Sequence, residues 1–192
     1  MLVHFTRNAE RTNTTPFIIK GKTVTPGHTA KILGVVMDAE LRYKQHIAKA
    51  ATKGLIAVMA LKRLRMVSPS TARQLFGAMV APVVDYASNI WMHACGGSAI
   101  AVINRVQRIG AQAIIGTFRT VATVIGEAEA SIRSVRERHS ERATKLWVDL
   151  HMLYKTNPLS RLRTKVLQRF TSPLQKIAYT HRHRLTDKME II

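Results

Sequence analysis

The sequence predicts an α+β fold that is mainly α: a small N-terminal antiparallel β-sheet of three to four short strands, followed by a bundle of helices. Two observations carry this. Before residue 38 the apolar residues fall in short β-prone runs separated by turn residues, and from about Leu41 the spacing changes to the three-or-four interval of helices and keeps it through Leu153. A third concerns partners. The chain carries 30 Lys+Arg against 11 Asp+Glu, a formal charge of +19, which repels itself unless a polyanion lies nearby.

The strands are read from their punctuation. Leu2 to Phe5 and Phe17 to Lys20 are short apolar runs with Asn8, Asn13 and Pro16 between them, and Gly21 turns the second run into Lys22 to Thr25. Pro26-Gly27 marks another turn. Ala30 to Met37 follows, and contains Ile32-Leu33-Gly34-Val35-Val36, where Gly34 suits a bend or a close backbone approach. Asp38 closes this strand.

The stretch from Leu41 to Met66 reads as a long basic helix with Ile47, Leu55, Val58, Met59 and Leu61 on its apolar side. At roughly 100° per residue, Arg42, Lys49, Lys53 and Arg63 fall within about 80° of one another, away from the apolar arc. One face is therefore cationic. Ser68-Pro69 is a helix start, with Ser68 as cap and Pro69 at the first helical position. Leu75, Phe76, Met79 and Val80 give its apolar face, and Pro82 interrupts or kinks it. Tyr86 and Trp91 are placed in the core, since aromatics at helical spacing generally pack inward.

After Cys95-Gly96-Gly97 a further helix is expected, capped by Ser98, striped by Ile100, Ile103, Val106, Ile109, Ala113 and Ile114, and stopped by Gly116. Val121 to Glu129 suits a short helix. A longer one follows with Ile132, Val135, His139, Leu146, Leu150 and Leu153 on its seam, His139 as a hydrogen-bonded core residue. Asn157-Pro158 ends it. A basic amphipathic segment carrying Leu162, Val166 and Phe170 comes next, then Ser172-Pro173 and a basic tail containing His181-Arg182-His183-Arg184.

Composition excludes several classes. No uninterrupted apolar run approaches the about 20 residues of a membrane span. Cys95 is the sole cysteine, so the chain has no internal disulfide and no thiolate zinc framework, which fits a reducing compartment. Two-metal phosphoryl transfer needs clustered carboxylates, yet the acids are scattered and no Asp-Asp pair occurs. A Walker loop and a Gly-x-Ser-x-Gly turn are also missing. No residue is assigned a catalytic or metal-binding role, and no cofactor is expected in this chain.

The pattern K-I-L-G-V-V-M-D-x-x-L-R-Y-K-x-H-I from Lys31, with the later Ser-Pro start and V-A-P-V-V-D-Y-A-S-N-I-W, resembles the reverse transcriptases of non-LTR (LINE-type) retrotransposons, particularly fungal ones. The resemblance runs from about Leu2 to Ala178. It implies that residues 1–38 are the end of a polymerase palm with a primer-grip-like hairpin, 39–156 a helical thumb and connection, and 157–192 basic C-terminal helices and a tail. It further implies an RNA-directed DNA polymerase fragment that binds the primer–template duplex, uses Mg²⁺ in the intact enzyme, lacks the catalytic aspartates itself, and works with the remainder of the polymerase where that is expressed as one chain. Gly116-Thr-Phe-Arg-Thr120 is similar to the family's interhelical junction, held by its aromatic.

The expected nucleic-acid contacts are Lys31, Arg42, Lys49, Lys53, Arg63, Arg65 and Arg119, with Gly34 admitting the primer strand. The expected location is intracellular and nuclear, without a membrane partner. The competing reading is a stand-alone basic helical protein that binds nucleic acid or serves as a structural or interaction module.

Overall fold

The computed structural model of the chain describes residues 2–6, 8, 15–64, 66–94 and 96–163. Its fold is α+β and mainly α, with four short strands ahead of the helices. The strands form two separate antiparallel hairpins in place of one continuous sheet: β1 (Phe17–Ile19) with β2 (Lys22–Val24), and β3 (Thr29–Ile32) with β4 (Val35–Asp38). Each closes through a two-residue turn whose second member is glycine, Lys20-Gly21 in the first and Leu33-Gly34 in the second, with φ positive at all four residues. That dihedral pattern matches the right-handed twist of the flanking strands. Leu2 to Phe5, expected as a strand, makes only a bridge from Leu2 to Pro26, and Thr6 N–H donates to Ala39 O at 2.9 Å.

α1 runs over Lys44–Arg63, three residues later than its sequence pattern suggests. Leu41 and Tyr43 hold φ near +55°, and so break the helix before Lys44. Asp38 fixes this corner, its two carboxylate oxygens accepting from Tyr43 N–H at 2.6 Å and Arg42 N–H at 3.0 Å. α2 (Pro69–Leu75) starts as expected, with Ser68 Oγ accepting from Thr71 N–H at 3.3 Å. A π turn over Phe76–Val80 then leads into α3 (Ala81–Val84). Pro82 lacks an N–H and crowds the carbonyl four residues back, and the wider turn ahead of it absorbs both without ending the helix. α4 (Ser88–Trp91), α5 (Ser98–Ile115), α6 (Thr123–Glu129) and α7 (Val135–Met152) follow. Gly116 caps α5 at φ 68°, as a helix stop does.

Two compact units divide at residue 135. In the first, α1 packs along α5 and crosses α3, while α5 also packs on α6. The buried face of α1 is His46, Ile47, Ala50, Ala51, Gly54, Val58 and Leu61: Ile47, Val58 and Leu61 are buried as expected, small residues fill the places between them, Leu55 packs half-buried against the core, and Met59 is exposed. Trp91 and Phe76 are buried in the same core, with Ile103, Val106 and Ile114 of α5. Buried Gln107 donates through Nε2 to Arg133 O at 2.8 Å, and Arg73 Nε to Ala130 O at 2.7 Å, tying the chain beyond α6 to α5 and α2. The second unit holds most of α7, where Ala143, Leu150 and the expected core residue His139 are buried and Trp147 stacks on His151 with ring centroids 4.0 Å apart. Val166, Phe170, Ser172-Pro173 and the His181–Arg184 tail lie outside the described residues.

Gly54 faces both α3 and α5 from α1: a Cβ there would overlap Val84 Cγ2 and stand 3.2 Å from Val106 Cγ1. Replacing a mid-helix glycine by alanine ordinarily gains about 1 kcal/mol from propensity. Here the overlap outweighs that gain. Gly54→Ala is expected to lower stability by roughly 1–3 kcal/mol in urea unfolding, whereas Gly77→Ala, with open space around it, is expected not to.

Candidate nucleic-acid interface

The β3–β4 hairpin, α1 and α3 enclose an open groove of about 660 Å³. Lys31 reaches it from β3 and Gly34 from the hairpin turn, and Val36 of β4 lies beside them. Lys49 and Lys53, four residues apart on one face of α1, form the opposite wall with His46 and Ala50. Pro82, Val83 and Tyr86 close the third side. Three ammonium groups therefore share a groove with an apolar floor and no carboxylate in its lining. That combination favours an extended anion with apolar parts, because the charges repel one another until an anion enters.

The two long walls are joined by a hydrogen bond from Val36 N–H to His46 Nδ1 at 3.3 Å. With Nδ1 accepting, a neutral ring carries its proton on Nε2. This nitrogen is buried without a well-placed partner among the described residues. The Tyr86 carbonyl favours a proton there electrostatically, but it already accepts from Trp91 Nε1 at 2.8 Å. Burial holds the His46 imidazole below its ordinary value, and the Lys53 and Lys49 charges push the same way. His46 also stands edge-on to Trp91, ring centroids 5.7 Å apart.

Tyr86, placed in the core by the sequence reading, is half exposed and belongs to the groove. Its hydroxyl donates to Leu33 O at 2.8 Å, and its ring fills the space a Cβ on Gly34 would need, with Cε1 3.3 Å from that position. The close approach that Gly34 permits is thus made by Tyr86 of the same chain.

The predicted contact residues divide. Lys31, Gly34, Lys49 and Lys53 come together in the groove. Arg42 does not join them: it precedes α1 in the left-handed corner, so helical angles do not apply to it, and its Nε pairs with Glu40 Oε2 at 2.5 Å. Arg63 ends α1, ten residues beyond Lys53, which places it roughly 15 Å further along the axis and outside the groove lining. Arg119 lies in the exposed turn after α5, away from the groove lining, and Phe118 beside it is 83% exposed, so this junction is not held by a packed aromatic. Arg65 lies outside the described residues. His46 and Tyr86 were missed as groove residues. A signal for His46 was present, since positions 46, 49, 50 and 53 share one helical face.

Among the described residues no group of three or more His, Cys, Asp or Glu side chains is placed to hold a metal ion. Among these residues the Mg²⁺ of the resembled polymerases has no fitting carboxylate set. No helix among the described residues is long and apolar enough to cross a membrane.

Two outcomes are expected. Asp38→Ala removes both acceptors at the corner and should cost about 1–2 kcal/mol in urea unfolding, with Asp38→Asn costing less. For His46 the unfolded chain binds the proton more readily than the folded one. Its contribution is thus complete above the unfolded value of about 6.5 and is lost as the pH falls below it toward the lower folded value. His46→Asn, whose amide oxygen can accept from Val36, should flatten the fall in stability between pH 7 and pH 5; an unchanged slope would contradict a buried neutral imidazole. Comparison of the chain with protein-family models, with curated proteins and with solved structures finds no match.

Proposed function

We propose that the chain is the nucleic-acid-gripping part of an RNA-directed DNA polymerase of the non-LTR retrotransposon type, the end of its palm with its helical thumb. On this reading the groove between the β3–β4 hairpin and α1 takes the backbone of the primer strand of a primer–template duplex, and the metal-dependent chemistry belongs to carboxylates outside this chain. The single observation that carries it is the convergence of Lys31, Lys49 and Lys53, from two separate elements, on one groove without a lining acid. Phosphates are the anions that such spaced ammonium groups and an apolar floor suit in series. Lys31 and Gly34 belong to the hairpin that carries the sequence resemblance, and Lys49 and Lys53 to the helix that follows it.

Several features make this a positioning surface. Phosphate contacts fix the register of a duplex and carry no sequence information directly, and no Asn, Gln or Arg lines the groove to read base edges. Binding is then sequence-tolerant. The net charge of +19 adds long-range attraction that raises the encounter rate and fades with salt.

The test is a salt titration of binding to a DNA or RNA–DNA duplex. Each neutralised phosphate of B-DNA contributes about 0.9 to the slope of log affinity against log salt. Reversing Lys49 and Lys53 to Glu should weaken binding across all sequences and reduce the slope by about 2. An unchanged slope would remove the groove from the interface. Salt-independent binding to neutral lipid vesicles would favour the structural or interaction module.

A further inference from the structure

We infer that Leu33, at the tip of the β3–β4 hairpin, is an apolar wedge that enters the base stack of the strand whose phosphates lie over Lys31, Lys49 and Lys53. The inference rests on the nucleic-acid reading above.

Leu33 is the first residue of a two-residue turn in which both φ angles are positive, 47° at Leu33 and 85° at Gly34. Asn, Asp and Gly suit that first position, because their side chains tolerate the left-handed region; leucine does not. Packing does not repay the strain, since Leu33 is 87% exposed. The corresponding turn of the first hairpin has Lys20 in this position, an exposed side chain whose charge is solvated. Leu33 thus combines an unfavourable backbone with an apolar surface left in water. The turn conformation closes the hairpin, but the leucine side chain adds nothing to the folded chain by itself.

The tip is nevertheless held firmly. Tyr86 donates its hydroxyl to the Leu33 carbonyl, and the Tyr86 ring occupies the space beside Gly34. Behind the tip the hairpin is tied to α1 through Val36 and His46. The brace engages the backbone on the groove side and leaves the leucine side chain outward. Ile32, next to it, pairs with Val35 and lies on the hairpin face away from Lys31 and Val36, so Leu33 alone forms the apolar tip.

Position supplies the ligand chemistry. Gly34 and Lys31, on either side of Ile32-Leu33, both line the cationic groove, so a strand following the lysines passes the tip. Aliphatic side chains inserted between base steps unstack them, and the cost is met by burying apolar surface that was in water. A rigid, exposed leucine beside a phosphate-binding wall meets the requirements for such a wedge. A solvated residue in the same turn does not.

The experiment uses the full 192-residue chain and DNA duplexes carrying 2-aminopurine at successive positions from one end, at low salt. Unstacking brightens this base. The wild-type chain is expected to raise the fluorescence several-fold at one or two adjacent positions and little elsewhere. Leu33→Asn suits the turn better, so it should unfold at the same or a higher temperature. It should keep the salt slope of binding and lose the brightening. Leu33→Phe, which preserves an apolar wedge, should retain it. If the wild-type chain binds with a clear salt slope but brightens no position, or if Leu33→Asn brightens as the wild type does, the wedge is overturned while the groove stands. If the wild-type chain fails to bind any duplex, the nucleic-acid reading falls and the wedge with it.

Discussion

Two hydrogen bonds to one carboxylate set the geometry on which everything else depends. Asp38 ends β4 and accepts from the backbone of Arg42 and Tyr43, in a corner where Leu41 and Tyr43 adopt left-handed conformations that other chains generally leave to glycine or asparagine. The carboxylate stabilises a turn that the backbone alone would avoid. Its consequence is directional: the hairpin meets α1 at an angle that puts Lys31 opposite Lys49 and Lys53. Val36 and His46 hold the two walls together further along, and the small residues Ala50, Ala51 and Gly54 let α1 sit close against the rest of the core.

The groove balances two electrostatic demands. Its lysines are exposed, so the mutual repulsion of their ammonium groups is screened by water. His46 lies one layer deeper and is held neutral by burial, with the lysine charges adding to the same effect. A charged imidazole in that place would present a second N–H to Val36 and break the bond between the walls. Positive charge is therefore confined to the rim, where a phosphate can reach it, and excluded from the layer that keeps the groove open.

Much of this arrangement was legible in the sequence because it is local. Apolar runs bounded by glycine and proline mark the first hairpin, Ser68-Pro69 starts a helix, Gly116 ends one, and the i, i+4 spacing of Lys49 and Lys53 places both on one face. The run from Ala30 to Met37, by contrast, reads as one bent strand and is folded back at Leu33-Gly34 into two. What was not legible depends on tertiary contacts or on backbone dihedrals that side-chain periodicity does not encode. Arg42 looked helical because its spacing from Lys49 fits, yet the left-handed Tyr43 lies between them. Met59 has the size of a core residue yet is exposed, whereas the tight crossing of α1 buries the small Ala50, Ala51 and Gly54, which apolar periodicity does not single out. Tyr86 reads as core because it continues a helical apolar pattern; its actual partner, the Leu33 carbonyl, lies 53 residues away. Gln107 gave no warning that it would be buried against a backbone carbonyl.

If the chain grips nucleic acid as proposed, the hairpin and α1 jointly form the surface that touches it. Photocrosslinking of the full chain to a duplex with photoreactive bases, followed by peptide mapping, tests this most directly. Adducts are expected to concentrate in residues 31–36, 46–53 and 82–86. Adducts spread evenly over the basic surface, or confined to residues 136–192, would contradict it.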